Sequence, residues 1–216
     1  FFSGCSLRCR FCQNHPISHD NFGQPVSIER LAAIFRELEE QGAHNINLVN
    51  PTHFAAAIAE ALEQPLPVPV VYNSSGYESV ETLKMLEGKI QIYLPDMKYS
   101  DNEAAKIYSG APDYFETAQK VIDEMFRQVG RYRMNEDGTL MERGLIVRHL
   151  ILPSHLRNTY GVIDWFARRF SPGDAMLSLM SQYIPSGHAS QFPKINRTIT
   201  AREYHKAQEY LFASGI

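Results

Sequence analysis

At 216 residues, with 44% hydrophobic and 21% charged residues, the chain is long enough to fold as one domain with a substantial core. Its net charge of −3 lacks the basic excess that a phosphate backbone demands, so nucleic acid is not an expected partner. No apolar run approaches the ~20 residues of a membrane helix, so no membrane span is expected.

The chain opens on Phe1 rather than Met, and Phe1 to Gly4 reads as the end of a strand. The expectation is therefore a single domain over residues 1–216 that lacks an N-terminal segment of a longer parent protein. The next stretch places all three cysteines, Cys5, Cys9 and Cys12, within eight positions. A Cys-x3-Cys-x2-Cys loop can point three thiolates at one centre, and soft thiolates select iron–sulfur clusters, zinc or copper(I) over hard cations. Three ligands would leave one iron of a four-iron cluster open. Structural zinc closes with four ligands, so a Cys3His set completed by His15 or His19 is the competing reading. The odd count argues against a disulfide framework, and free thiols point to a reducing cytoplasm.

Residues 13–26 read as a polar loop. Ser27 can cap a helix whose Leu31, Ile34, Phe35 and Leu38 fall on one face, with Gly42 ending it. Asn45 to Val49 is a short strand ending at Asn50-Pro51-Thr52-His53, and Phe54 to Glu63 is an alanine-rich helix. Val68 to Tyr72 is a strand that ends in Asn73-Ser74-Ser75-Gly76; Val80, Leu83 and Leu86 mark the helix after it. Ile90 to Leu94 leads into Asp96-Met97-Lys98. A short helix starts near Asp101 and a longer one covers Tyr114 to Val129. Residues 131–144 form an excursion that turns at Asp137-Gly138. Leu145 to Leu152 is a strand, a helix carries Ile163, Phe166 and Phe170, and Met176 to Tyr183 is the last strand. Thr200 and Glu203 form a capping box for the final helix.

Six strands alternating with helices imply a parallel sheet with right-handed crossovers. Six units are too few for a closed eight-stranded barrel, which leaves a partial (βα)6 barrel or an open doubly wound sheet. In both, function gathers at the C-terminal ends of the strands, and those ends are polar in this chain.

Phe11 before the last cysteine and Gln13-Asn14 after it complete a CxxxCxxC signature that resembles the radical S-adenosylmethionine (radical SAM) superfamily. Asp96-Met97-Lys98-Tyr99, the stretch from Arg143 to Pro153, and Leu179 to Tyr183 look like the branch near pyruvate formate-lyase activating enzymes. The resemblance implies an α/β fold of the partial (βα)6 barrel type. It also implies a 4Fe-4S cluster held by Cys5, Cys9 and Cys12, with S-adenosylmethionine on the open iron. Reductive cleavage then yields methionine and a 5′-deoxyadenosyl radical that takes a hydrogen atom from a substrate. The substrate implied by that branch is a glycyl-radical enzyme, with reduced flavodoxin or ferredoxin as electron donor. A radical SAM enzyme acting on a small molecule or peptide, and a non-catalytic iron–sulfur or zinc module, are the alternatives.

The same resemblance nominates residues around the cluster. Phe11 would lie near the adenine, with Gln182 and Tyr183 on the adenine side. Asn50-Pro51-Thr52-His53 stands where the superfamily often carries Gly-Gly-Glu; Asn50 and Thr52 offer neutral oxygens to the methionine ammonium, and His53 is the neighbouring candidate. Asn73 and Ser75 are ribose or carboxylate contacts, or simply turn residues. Asp96 and Lys98, two apart, point to one face of a continuing strand, where they serve ribose, substrate or the S-adenosylmethionine carboxylate. Arg148 in an apolar strand needs a carboxylate partner and is expected to face the barrel interior. With Asp96 and Lys98 it makes up the catalytic set. Ser154 follows Pro153 where relatives often have Gly.

Overall fold

The computed structural model describes all 216 residues. Four of its eight α-helices begin where a side chain accepts from a free N–H group of the first turn. Helix α1 is a single turn, His15–Ser18, with Pro16 near its start. Ser27 accepts from Arg30 N to open α2, Ile28–Glu40. Strand β1, Ile46–Val49, runs through a 3-10 turn at Thr52–Phe54 into α3, Ala55–Ala61. Strand β2, Val70–Ser74, precedes α4, Val80–Lys84, which Ser79 caps. Strand β3, Ile92–Pro95, leads to α5, Asn102–Ser109, opened by the Asp101 carboxylate and ended by left-handed Gly110. Helix α6, Tyr114–Val129, is followed by β4, Arg133–Met134, and the long β5, Met141–Leu150. Helix α7, Leu156–Arg169, strand β6, Met176–Met180, and α8, Ala201–Ala213, complete the chain, the last with the Thr200–Glu203 capping box in place.

Five strands are parallel in the order β1-β2-β3-β5-β6, and β4 joins the first half of β5 as an antiparallel hairpin. The sheet does not close, so the architecture is the expected partial barrel. One cluster of 37 buried residues links the strands to the helices, which makes the chain a single packed unit. Tyr72 and Tyr93 meet edge to face inside it, ring centroids 5.6 Å apart. No helix is long and apolar enough to cross a membrane.

The local pattern misplaced several ends. Phe1 to Gly4 forms no strand; Phe2 N donates to Val49 O at 2.9 Å beside the exposed edge of β1. The loop at 13–26 contains α1, too short for any periodicity to reveal. Strands β2 and β3 each begin two residues later than expected, because continuous apolar runs carry no alternation to mark their ends. Strand β6 stops at Met180, which leaves Ser181 to Tyr183 beyond it.

Candidate functional site

The cysteine loop is tied down on every side. Arg8 N and Arg10 N donate to the C-terminal carbonyls of α5, Ser109 O at 3.0 Å and Tyr108 O at 2.7 Å. Gly4, in the left-handed region, donates to Ile17 O, while Asn50 Nδ2 donates to Gly4 O at 3.1 Å. Ser6 Oγ donates to Tyr77 O at 2.7 Å, and Leu7 is buried. All three thiols are half-buried and line one cavity of 580 Å³ with the ends of β1, β2, β3 and β5. A larger groove of 660 Å³ beside α2 and the edge of β1 is lined by apolar and neutral residues only, so the smaller cavity carries the chemistry.

Each sulfur has a polar neighbour. Cys5 Sγ lies 3.8 Å from Asn50 Oδ1, Ser109 Oγ donates to Cys9 Sγ at 3.1 Å, and Ser18 Oγ is 3.1 Å from Cys12 Sγ. Burial pushes the Cys9 thiol up to about 11 against the pull of Lys98 and Ser109, so a metal must displace its proton. No three Cys, His, Asp or Glu side chains converge on a single-ion centre, and His15 and His19 do not join the thiols in one. Three soft donors spread around a shared cavity fit a polynuclear iron–sulfur cluster better than one zinc ion.

Asp96 and Arg148 supply the cavity's charged wall. They are direct partners in the parallel pairing that continues β3 against β5, so their side chains share a face. Arg148 Nη2 is 2.8 Å from Asp96 Oδ1 and donates to Asn73 Oδ1 at 2.7 Å; Lys98 Nζ donates to Asp96 Oδ2 at 2.5 Å. Arg148 Nη2 and Asp96 Oδ1 form an ion pair, while Arg148 Nε is buried with no hydrogen-bond partner. Burial pushes the Asp96 carboxyl up, but Lys98 and Arg148 together outweigh it and hold the group below the usual range. Burial likewise lowers Lys98, but the Asp96 charge, the Cys9 charge and the Asp96 hydrogen bond together outweigh it and raise the group. One carboxylate faces two cations, with hydrogen-bonding capacity to spare.

Asn50, Asn73, Ser75, Asp96, Lys98, Arg148 and the three cysteines therefore meet in one cavity. The other nominated residues do not line it. Thr52 sits in the 3-10 turn and donates to Glu78 Oε2 at 2.6 Å; His53 packs against Gly4. Phe11 is buried against the ring edge of Tyr183, whose hydroxyl donates to Ile195 O at 2.7 Å, and Gln182 is exposed.

Four residues that sequence reasoning missed hold the site together. Glu78 accepts from Thr52, Tyr72 and Ser74; burial raises its carboxyl despite those donors. The Tyr114 hydroxyl accepts from Lys98 N at 2.9 Å and lies 2.8 Å from both Ser75 O and Asp96 O. Ser18 and Ser109 reach sulfurs. Ser109 and Tyr114 act on residues that only the fold brings near, while Ser18 and Glu78 also bond residues four to six positions away, at spacings that match no motif.

No protein-family model matches the chain. An uncharacterized protein of Methanocaldococcus jannaschii, MJ0674, is 30% identical over 220 residues, covering 97% of this chain and 60% of that protein. Methylornithine synthase PylB superposes with a TM-score of 0.63 at 15% identity, over 99% of this chain and 61% of PylB. Streptococcus suis SuiB, in complex with its precursor peptide SuiA, gives 0.60 at 12% identity, over 98% of this chain and 44% of SuiB. HydG, a maturase of the [FeFe]-hydrogenase, gives 0.60 at 14%, over 98% of this chain and 47% of HydG. The chain has the fold of the radical SAM enzymes. It spans less than two thirds of the length of each of these proteins.

Proposed function

We propose that this chain is the catalytic domain of a radical SAM enzyme. The observation that carries the reading is the single cavity in which three thiols meet the Asp96–Lys98–Arg148 group at the C-terminal ends of parallel strands. Cys5, Cys9 and Cys12 would hold a 4Fe-4S cluster, with S-adenosylmethionine bound beside it in the same cavity. When bound and reduced, the cluster supplies the electron that splits S-adenosylmethionine into methionine and a 5′-deoxyadenosyl radical. The chain binds, orients and excludes water. Lys98 offers its ammonium to the methionine carboxylate, and Asp96 Oδ1, ion-paired with Arg148, accepts from the ribose or from the substrate. Lys98 and Arg148 keep Asp96 ionised, and Asn50 and Asn73 add neutral hydrogen-bonding groups. SuiB has also been solved with S-adenosylmethionine, in the same fold.

The substrate in this reading is a glycyl-radical enzyme, and the support is the likeness of Asp96 to Tyr99, Arg143 to Pro153 and Leu179 to Tyr183 to the activase branch. Reduced flavodoxin or ferredoxin is the matching electron donor. A peptide or small-molecule substrate is the second reading, supported by the peptide-bound SuiB and by methylornithine synthase among the proteins of this fold.

Anaerobic reconstitution with iron and sulfide, reduction, and addition of S-adenosylmethionine tests the reading. A change in the cluster's EPR spectrum and release of 5′-deoxyadenosine are expected. An unchanged spectrum without nucleoside would refute it. Adding a candidate glycyl-radical protein and looking for its radical separates the two substrates.

A further inference from the structure

Two of the three thiols each meet a buried serine, and the two serines differ in what stands behind them. Ser109, 1% exposed, donates to Cys9 Sγ, and its oxygen is 2.7 Å from the Tyr99 hydroxyl. With Ser109's proton on sulfur, Tyr99 is the donor in that pair, so the polarity of this relay is fixed. Ser18, 3% exposed, stands 3.1 Å from Cys12 Sγ, 2.8 Å from His19 Nδ1 and 2.9 Å from Asn14 O. A hydroxyl has one proton to give. When His19 Nδ1 is bare, three acceptors compete for it. When Nδ1 carries a proton, that nitrogen becomes a donor to Ser18 Oγ, and the hydroxyl proton turns to the remaining acceptors. A thiolate, being charged, outcompetes a carbonyl.

We infer that Ser18 and Ser109 are positioning residues that hydrogen-bond the cluster's thiolates, and that His19 sets how fully Ser18 does so. The inference rests on the cluster reading above. Reduction adds one electron from an external one-electron reductant, and donors to the sulfurs stabilise the more negative reduced form, so they raise its potential. A proton taken from solvent by His19 accompanies the electron in proportion to the coupling. The groups facing His19 are His15, stacked on it at 4.3 Å, Asp20 beside His15, Arg8 of the cysteine loop, and His188 of the segment after β6. Burial and then the His15 charge hold the His19 pKa below its ordinary value, and Asp20 opposes them.

The test is a dithionite titration of the reconstituted protein, followed by EPR, at a series of pH values from about 5.5 to 8.5. The wild-type midpoint is expected to fall as pH rises through the His19 titration. Ser18→Ala lowers the midpoint and flattens that dependence, Ser18→Thr restores both, and His19→Gln flattens the dependence alone. Ser109→Ala lowers the midpoint without changing the slope. Each alanine change is expected to cut the reduced-to-oxidised ratio at fixed potential roughly tenfold, about 59 mV for one electron. Unchanged midpoints in variants that assemble a cluster overturn this inference and leave the proposed function standing. Failure of the wild type to assemble a cluster overturns both.

Discussion

Gly76 sits against the backbone carbonyl of Asp96: a Cβ built on it would lie 2.2 Å from that oxygen and 3.3 Å from the Tyr114 hydroxyl. Its φ of 71° is itself a conformation that favours glycine. This contact clamps the end of β2 to the end of β3, where the buried Tyr114 hydroxyl joins both. Gly76→Ala should destabilise the protein by about 3 kcal/mol, the sum of overpacking and left-handed strain. A urea midpoint within error of wild type would contradict the clamp.

Asp96 is the only anion between Lys98 and Arg148, and all three side chains are mostly covered. Asp96→Asn leaves two cations facing each other with no counter-charge. Losing one partner of a buried pair costs about 3 kcal/mol or more. Lys98→Met added to Asp96→Asn should recover part of that loss, because it removes one orphaned charge. The double-mutant cycle, read by urea unfolding, fails this account if the two changes simply add.

His149 is fully buried, its Nδ1 2.7 Å from Met97 O and its Nε2 3.0 Å from Thr159 Oγ1. Nδ1 donates to the carbonyl, and in the neutral ring that burial enforces Nε2 accepts from the Thr159 hydroxyl. Burial, against the Met97 hydrogen bond, lowers its pKa from 6.5 to about 4. The unfolded chain binds this proton first as pH falls, so the neutral ring's stabilisation is complete above pH 6.5 and lost between there and about 4. The loss attributable to His149 is about 2 kcal/mol by pH 5. His149→Gln should flatten that part of the curve, which urea unfolding at the two pH values measures.

Under the proposed function, replacing Cys5, Cys9 or Cys12 with Ser should each abolish a stable cluster, since that reading gives the cluster no other protein ligand. The fold should survive, with a stability change within about 1 kcal/mol, because the cysteines are partly exposed and lie in a loop beyond the strand ends, outside the sheet. Iron and sulfide content with circular dichroism checks both halves. A Cys12→Ser protein with full iron would exclude Cys12 as a ligand.

Much of the helical framework was legible residue by residue. Ser27, Asp101 and the Thr200–Glu203 box mark starts because a side-chain oxygen must satisfy an unpaired N–H. Helix α6 keeps its sequence-derived bounds, Tyr114 to Val129, because its apolar stripe repeats at helical spacing. Strands were located less well: Asn73 and Ser74 belong to β2 rather than to the turn after it, since hydrogen bonding to β1 and β3 decides where a strand stops. Ser154 keeps the left-handed φ, at 65°, that a glycine would take easily. Glu203 Oε1 accepting from its N–H and Arg197 donating to its hydroxyl hold it there.

The sequence by itself determined the chemistry of the donors and the alternation of elements. Thiol spacing within one loop and hydrophobic period along one segment are local properties that no distant residue can alter. Tertiary structure alone decided which groups surround those donors. Ser109 reaches Cys9 across 100 positions, Arg148 reaches Asn73 across 75, and Tyr114 joins the ends of β2 and β3. Such contacts follow from parallel crossovers and close packing of the whole sheet, and the side-chain order of any one segment holds no record of them.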